Sequence, residues 1–197
     1  MKVSYDWLCD FLDLKETGRE PDQVASALAR IGFTVEGRQK RGQDVVMDLE
    51  IHANRPDCLN HLGIARELAT HYGMDLRMPD LTPPLGQRGS RSASVHIEDP
   101  DLCPRYTARL IETVALKDSP EWLRERLEKL GQRPINNIVD ITNYVMLHIG
   151  QPLHAFDFEK LEGGAITVRR ARSGEKLITL DGVKREVDEE MLMICDE

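Results

Sequence analysis

The sequence predicts an α+β fold in two parts: a small N-terminal α/β domain over residues 1–77, a linker over 78–94, and a second mixed α/β part over 95–197. Three observations predict it. Amphipathic helical stripes and alternating strand patterns share the first 77 residues. Met78–Ser94, MPDLTPPLGQRGSRSAS, is rich in Pro, Gly and Ser and poor in large apolar side chains, as inter-domain linkers are. Beyond it, short strand-like runs flank a two-residue hairpin signal, Asp181-Gly182.

Taken in order, Ser4 caps a first helix with Trp7, Leu8, Phe11 and Leu12 on one face. Pro21, a favoured first-turn residue, starts a second with a stripe of Val24, Leu28 and Ile31, stopped by Gly32. Phe33–Glu36 is expected as a strand and Gly37–Gln43 as a short basic loop. Val45–Ile51 alternates like a strand, with Met47, Leu49 and Ile51 on one side. After the polar turn at 52–57, Pro56 or Asp57 opens a third helix reaching about Tyr72, ended by Gly73. Strands are expected at Val95–Ile97 and Tyr106–Ile111. Ser119-Pro120-Glu121 starts a helix facing inward through Trp122, Leu123, Leu127 and Leu130. Further strands follow at Ile166–Arg169, Leu177–Leu180, Val183–Val187 and Met191–Ile194. That last apolar strand is an unguarded edge, so a partner or a longer chain is expected to finish the sheet.

Composition narrows the function. With 197 residues, 41% hydrophobic and 30% charged, the chain reads as a globular protein. Its formal charge of −8 excludes a molecule that binds nucleic acid by overall charge, although basic residues cluster at Arg38, Lys40 and Arg41, at Arg88 and Arg91, and at Arg169, Arg170 and Arg172. Cys9, Cys58, Cys103 and Cys195 form no C-x-x-C pair, which argues against a zinc ribbon and fits a reduced, cytoplasmic setting. No signal-peptide core or bilayer-length apolar run appears. The six histidines offer no His-x-x-x-His pair, and His61 and His71 read as solvent-facing or interfacial, so no metal is expected. Neither a Walker loop nor Gly-x-Gly-x-x-Gly occurs, so this chain should bind no ATP by itself.

The stretch Ile135–Asp157 concentrates polar groups with no evident surface role. Ile138, Ile141, Val145 and Ile149 mark a short helix, capped by Asn136 or Asn137 and ended by Gly150. It carries Asp140, Thr142, Asn143 and Tyr144, and a loop stiffened by Pro152 follows with His154. Two readings stand: a pocket wall, or a capped helix packed beneath a loop. No nucleophile–base signature is present; Thr142, Asn143 and His154 suit holding a water and a substrate oxygen. Asn54-Arg55-Pro56-Asp57 is likewise open, either a local pair with a helix cap or an Arg fork for a carboxylate or phosphate.

Three stretches together resemble the beta subunit of bacterial phenylalanine–tRNA ligase: MKVSYDWLCDFLDL at Met1–Leu14, LEIHANRPDCLNHLGIARELA at Leu49–Ala69, and Asn136–Gly163 with VDITNY and GQPLHAFD. The resemblance makes residues 1–77 a B1-like domain and residues 95–197 the first half of a mixed α/β editing domain of B3/B4 type. It implies an alpha-subunit partner that uses ATP and Mg2+ to attach phenylalanine to tRNA(Phe), tRNA contacts, a heterotetramer, and hydrolysis of mischarged Tyr-tRNA(Phe). An apolar ring pocket rejects an added hydroxyl only weakly, so a second sieve is useful. By motif position Thr142, Asn143, Pro152 and His154 would line the editing pocket, with Arg55 a candidate tRNA or subunit contact. Two departures stand out: Arg38–Asp44 bridges the place where bacterial members insert an oligonucleotide-binding fold, and the glycine-rich loop and glutamate that complete the family's pocket would lie beyond Glu197. The resemblance therefore implies a piece that alone neither aminoacylates nor edits. The alternatives are a free-standing trans-editing hydrolase or tRNA-binding module, and a structural fragment.

Overall fold

The computed structural model describes residues 1–82, 89, 91–179 and 182–196, a mixed α/β chain. Residues 83–88 and 90 of the expected linker lie outside the described residues, as does Asp181 of the hairpin signal. The compact units do not follow a single cut of the chain. One comprises Met1–Pro83 with Ala115–Ala155, the other Pro84–Val114 with Phe156–Glu197.

In the first unit, β1 (Lys2–Ser4) lies antiparallel to the central β3 (Asp44–Glu50), and β2 (Thr34–Arg41) pairs on the other side. The stretch expected as a basic loop is therefore mostly strand. Gly42, with φ of 64°, makes the tight reversal into β3 possible, so β2 runs on to Arg41 with a register shift between Val35 and Gly37. The first helix, α1 (Tyr5–Leu8), is a single turn; Phe11 and Leu12 are buried by the irregular chain after it. Ser4 caps α1, its Oγ accepting from the Trp7 N–H at 3.0 Å and donating to buried Asp44 at 2.6 Å. α2 (Pro21–Arg30) opens with a reciprocal Glu20/Gln23 capping box.

The third helix starts later than the sequence predicts. A 3-10 turn covers Pro56–Cys58, and α3 (His61–Tyr72) is capped by Asn60, whose Oδ1 accepts from the Gly63 N–H at 2.7 Å. Asp57 does not cap it, because that carboxylate is held by arginine. Gly63 permits a close approach: a Cβ there would sit 1.9 Å from the Asp57 carbonyl oxygen. His61 is fully buried rather than solvent-facing.

Two more helices complete this unit. α4 (Glu121–Lys129) buries Leu123 and Leu127, while Trp122, expected inward, is 53% exposed. Ser119 does not cap α4; its hydroxyl donates to Asp140 instead. α5 (Asn137–Ile149) is capped by Asn136, whose Oδ1 accepts from the Ile138 and Val139 N–H groups at 3.0 Å, and it ends at Gly150 with φ of 82°.

In the second unit β4 (Ser94–Ile97) runs parallel to β5 (Ala165–Arg170), and β8 (Leu192–Cys195) lies antiparallel on the far side of β5. Val168, Ile166 and Cys103 form its core, with Ile97, Tyr106, Leu161 and Ile194 packed around them. β6 (Lys176–Ile178) and β7 (Lys184–Glu186) make a separate exposed hairpin. The strand expected at Tyr106–Ile111 is absent; that segment has no regular structure, Ile111 is largely exposed, and it joins none of the sheets among the described residues.

Candidate functional site

The helix carrying the sequence-predicted site, α5, is fastened by a face opposite to the one its apolar pattern suggests. Residues advance about 100° per step around a helix, which sets Asp140, Tyr144, Leu147 and His148 on one side and Val139, Thr142, Val145, Met146 and Ile149 on the other. The first set makes the contacts. Trp7 stacks on Tyr144 at 5.0 Å and on His148 at 6.0 Å between ring centres, and on His61 of α3 at 4.3 Å. Phe11 meets His148 at 4.6 Å. Arg126 of α4 lies over Trp7 at 5.3 Å and pairs with Asp10.

Hydrogen bonds fix the registry. The Trp7 indole N–H donates to His148 Nδ1 at 2.8 Å. His61 Nε2 accepts from the Ser4 N–H at 3.1 Å, so in neutral imidazole the remaining proton sits on Nδ1 and is donated to the Leu147 carbonyl at 2.8 Å. Burial pushes the His61 pKa down to about 4, and burial lowers that of His148 as well. Asp140, fully buried, accepts from Ser119 Oγ at 2.5 Å and from the Ile135 N–H at 2.9 Å. Its carboxylate is a structural acceptor tying α5 to the chain before α4 and before itself. These contacts explain why residues 115–155 pack with the first unit.

What remains of α5 is an apolar side with Thr142 within it and Asn143 at its edge. Ile138, Val139, Val145 and Ile149 are half-buried and Met146 is 40% exposed. Ile138, Val145 and Ile149, whose spacing marked the helix, lie on this side, and Ile141 is 48% exposed at the flank. Thr142 is half-buried and its hydroxyl donates to the Val139 carbonyl at 2.7 Å; Asn143, one step on, is half-buried too. Pro152 and His154 occupy the exposed loop after Gly150. Thus Thr142 and Asn143 share a helix, and the other two share the following loop within the same unit. Two hollows of this unit, of about 180 and 350 Å3, are lined by other residues.

Arg55 is engaged within the molecule. Its Nε and Nη2 donate to the two oxygens of Asp57 at 3.1 and 3.0 Å, and Nη2 also reaches Glu67 at 2.8 Å. The Arg55 bonds hold the Asp57 carboxyl down at about 2. Asp57, Cys58 and Glu67 present ligand atoms within 4.8 Å of one another, a grouping that sequence spacing did not reveal because Glu67 lies nine positions after Cys58. The guanidinium already bonds all three, including Cys58 Sγ at 3.1 Å, so a cation of the protein's own occupies that place. Other basic clusters are similarly spoken for: Arg169 forks onto Glu175 at 2.9 and 2.8 Å, Arg170 pairs with Asp99, and Arg38 with Asp22. No described helix is long and apolar enough to cross a membrane.

Comparison with known proteins connects this geometry to a family. A model for the B3/4 domain matches residues 102–197. The phenylalanine–tRNA ligase beta subunit of Moorella thermoacetica is 54% identical over 157 residues, 78% of this chain and 19% of that protein. The beta subunit of Carboxydothermus hydrogenoformans is 51% identical over 184 residues, 93% of this chain and 23% of the relative. That of Rhodopirellula baltica is 41% identical over 197 residues, 100% of this chain and 28% of the relative. The chain therefore spans about a fifth to a quarter of the length of these relatives. Among solved structures, an N-terminal fragment of the Pyrococcus horikoshii phenylalanyl-tRNA synthetase beta subunit aligns with a TM-score of 0.41 at 17% identity, covering 94% of this chain and 50% of that one.

Proposed function

We propose, from the premise that this chain belongs to the phenylalanine–tRNA ligase beta-subunit family, that it serves as the N-terminal part of such a subunit. In this reading it works in the cytoplasm with an alpha subunit, in a heterotetramer that attaches phenylalanine to tRNA(Phe) at the expense of ATP with Mg2+. ATP and Mg2+ are handled elsewhere in the complete enzyme, and this chain contributes to hydrolysis of mischarged Tyr-tRNA(Phe).

The observation that carries the editing part is the apolar side of α5. The polar anchors Asp140, Tyr144 and His148 are spent on holding the helix, which leaves an apolar wall with Thr142 within it and Asn143 at its edge. An apolar wall suits an aromatic ring, and hydroxyl and amide groups beside it suit a phenol that must be told from a phenyl ring. Pro152 limits the loop that brings His154 onward, and a His at that position would orient a water rather than act as a nucleophile. Residues 95–197 are read as part of a B3/B4-type editing domain and residues 1–77 as a B1-like domain.

Deacylation of Tyr-tRNA(Phe) tests this. The purified chain should act no faster than the uncatalysed background, and robust turnover lost on His154→Ala would overturn the reading that further residues complete the site. In the complete alpha–beta enzyme, Thr142→Ala and His154→Ala should each slow editing by about tenfold or more, the size of one lost discriminating contact, with phenylalanine charging unchanged. Unchanged editing in both variants would remove these residues from the pocket.

A further inference from the structure

Away from α5, the first unit has an open cleft of about 350 Å3 between α2 and α3, whose lining includes Arg19, Asp22, Gln23, Arg30, His71 and Tyr72. We infer that this cleft binds a phosphate group, with Arg19, Arg30 and His71 as the recognising side chains.

Charge is the first ground. Three basic side chains line it, and the one carboxylate among them, Asp22, is already paired with Arg38. Arg30 and His71 sit in the last turns of α2 and α3, where basic residues also complement the helix dipole, so those two alone would need no ligand. Arg19 is different: it belongs to neither helix. Its guanidinium lies 4.8 Å from the centre of the Tyr72 ring, and its Nε is buried with no hydrogen-bond acceptor. A buried guanidinium donor left unpaired is costly, and the guanidinium group is well matched to phosphate oxygens.

The Tyr72 hydroxyl, which donates to the Gln23 carbonyl at 3.2 Å, does not accept from Arg19 Nε. The Arg19 carbonyl is itself held by the Tyr5 hydroxyl at 2.8 Å, which fixes the backbone from which the fork projects. A tetrahedral anion with several acceptor oxygens meets two guanidinium groups and an imidazole better than a flat carboxylate does. The cleft is open to solvent, so the phosphate can belong to a free ion, a mononucleotide or an RNA backbone.

The site is independent of the editing reading and is tested separately. Amide and imidazole NMR signals of His71 and Tyr72 are followed in the 197-residue chain during titration with inorganic phosphate, with AMP, with a short RNA hairpin and, at matched ionic strength, with acetate. Saturable shifts with at least one phosphate probe and none with acetate are expected. Arg19→Gln and Arg30→Gln should each weaken that binding about three- to tenfold, and for RNA should lower the salt slope by about 1. Lys40→Gln, near the end of β2, should change neither. A response to RNA alone assigns the source as a nucleic-acid backbone, and a response to phosphate or AMP alone assigns a small phosphate compound. Equal responses to acetate, no response to any probe, or unaltered affinity in both arginine variants with thermal unfolding preserved would overturn the site.

Discussion

Lowering the pH should loosen the first unit through one side chain, His61. In the folded chain its pKa is pushed down to about 4 because the ring is fully buried, between the Ser4 N–H and the Leu147 carbonyl. In the unfolded chain it titrates near the ordinary value of about 6.5. The unfolded state therefore takes up the proton first as pH falls. The stabilisation is fully present above about 6.5, is lost progressively as pH falls towards about 4, and changes no further below that. A shift of about 2.5 units corresponds to about 3 kcal/mol in total, of which about 2 kcal/mol is lost between pH 7 and pH 5. His148, whose pKa burial also lowers, adds in the same direction. Urea unfolding followed by tryptophan fluorescence measures it, since Trp7 and Trp122 both belong to this unit. His61→Phe keeps a ring against Trp7 but orphans the Ser4 N–H and the Leu147 carbonyl. It should cost about 2–4 kcal/mol at pH 7 and flatten the dependence between pH 7 and pH 5. Equal stability of the parent chain at both pH values, or an undiminished slope in the variant, would refute the reasoning.

Other perturbations follow from the same packing. Gly63→Ala places a methyl group 1.9 Å from the Asp57 carbonyl oxygen, so the 3-10 turn or α3 must shift. A loss of about 3 kcal/mol or more in chemical unfolding is expected. Asp140→Ala strands the Ser119 hydroxyl and the Ile135 N–H and should cost about 2–4 kcal/mol, with hydrogen exchange fastest at the start of α5; unchanged exchange there would show that Asn136 alone holds that end.

Much of the architecture is written locally. Ser4, Pro21, Asn136 and Gly150 each act within a turn of where they stand, which is why helix starts and stops could be read from neighbours alone. Gly42 shows where such reading falls short: a glycine after a basic run predicts a loop, yet its positive φ is what lets β2 and β3 pair as a hairpin. Likewise Asp57 and Asn60 are both good caps, and only the Arg55 fork, which occupies Asp57, decides between them.

The sequence by itself determined the mixed α/β class and the family resemblance, because motifs and periodicities are properties of a contiguous chain. Only the tertiary structure decided which side of α5 is inside. Hydrophobicity alone favours the Ile138–Val145–Ile149 side, but stacking on Trp7 and the bonds of Asp140 and His148 require partners more than a hundred residues or a whole helix away. Long-range pairing of buried polar groups is invisible to local pattern, and here it fastens α5 by its Asp140, Tyr144 and His148 side.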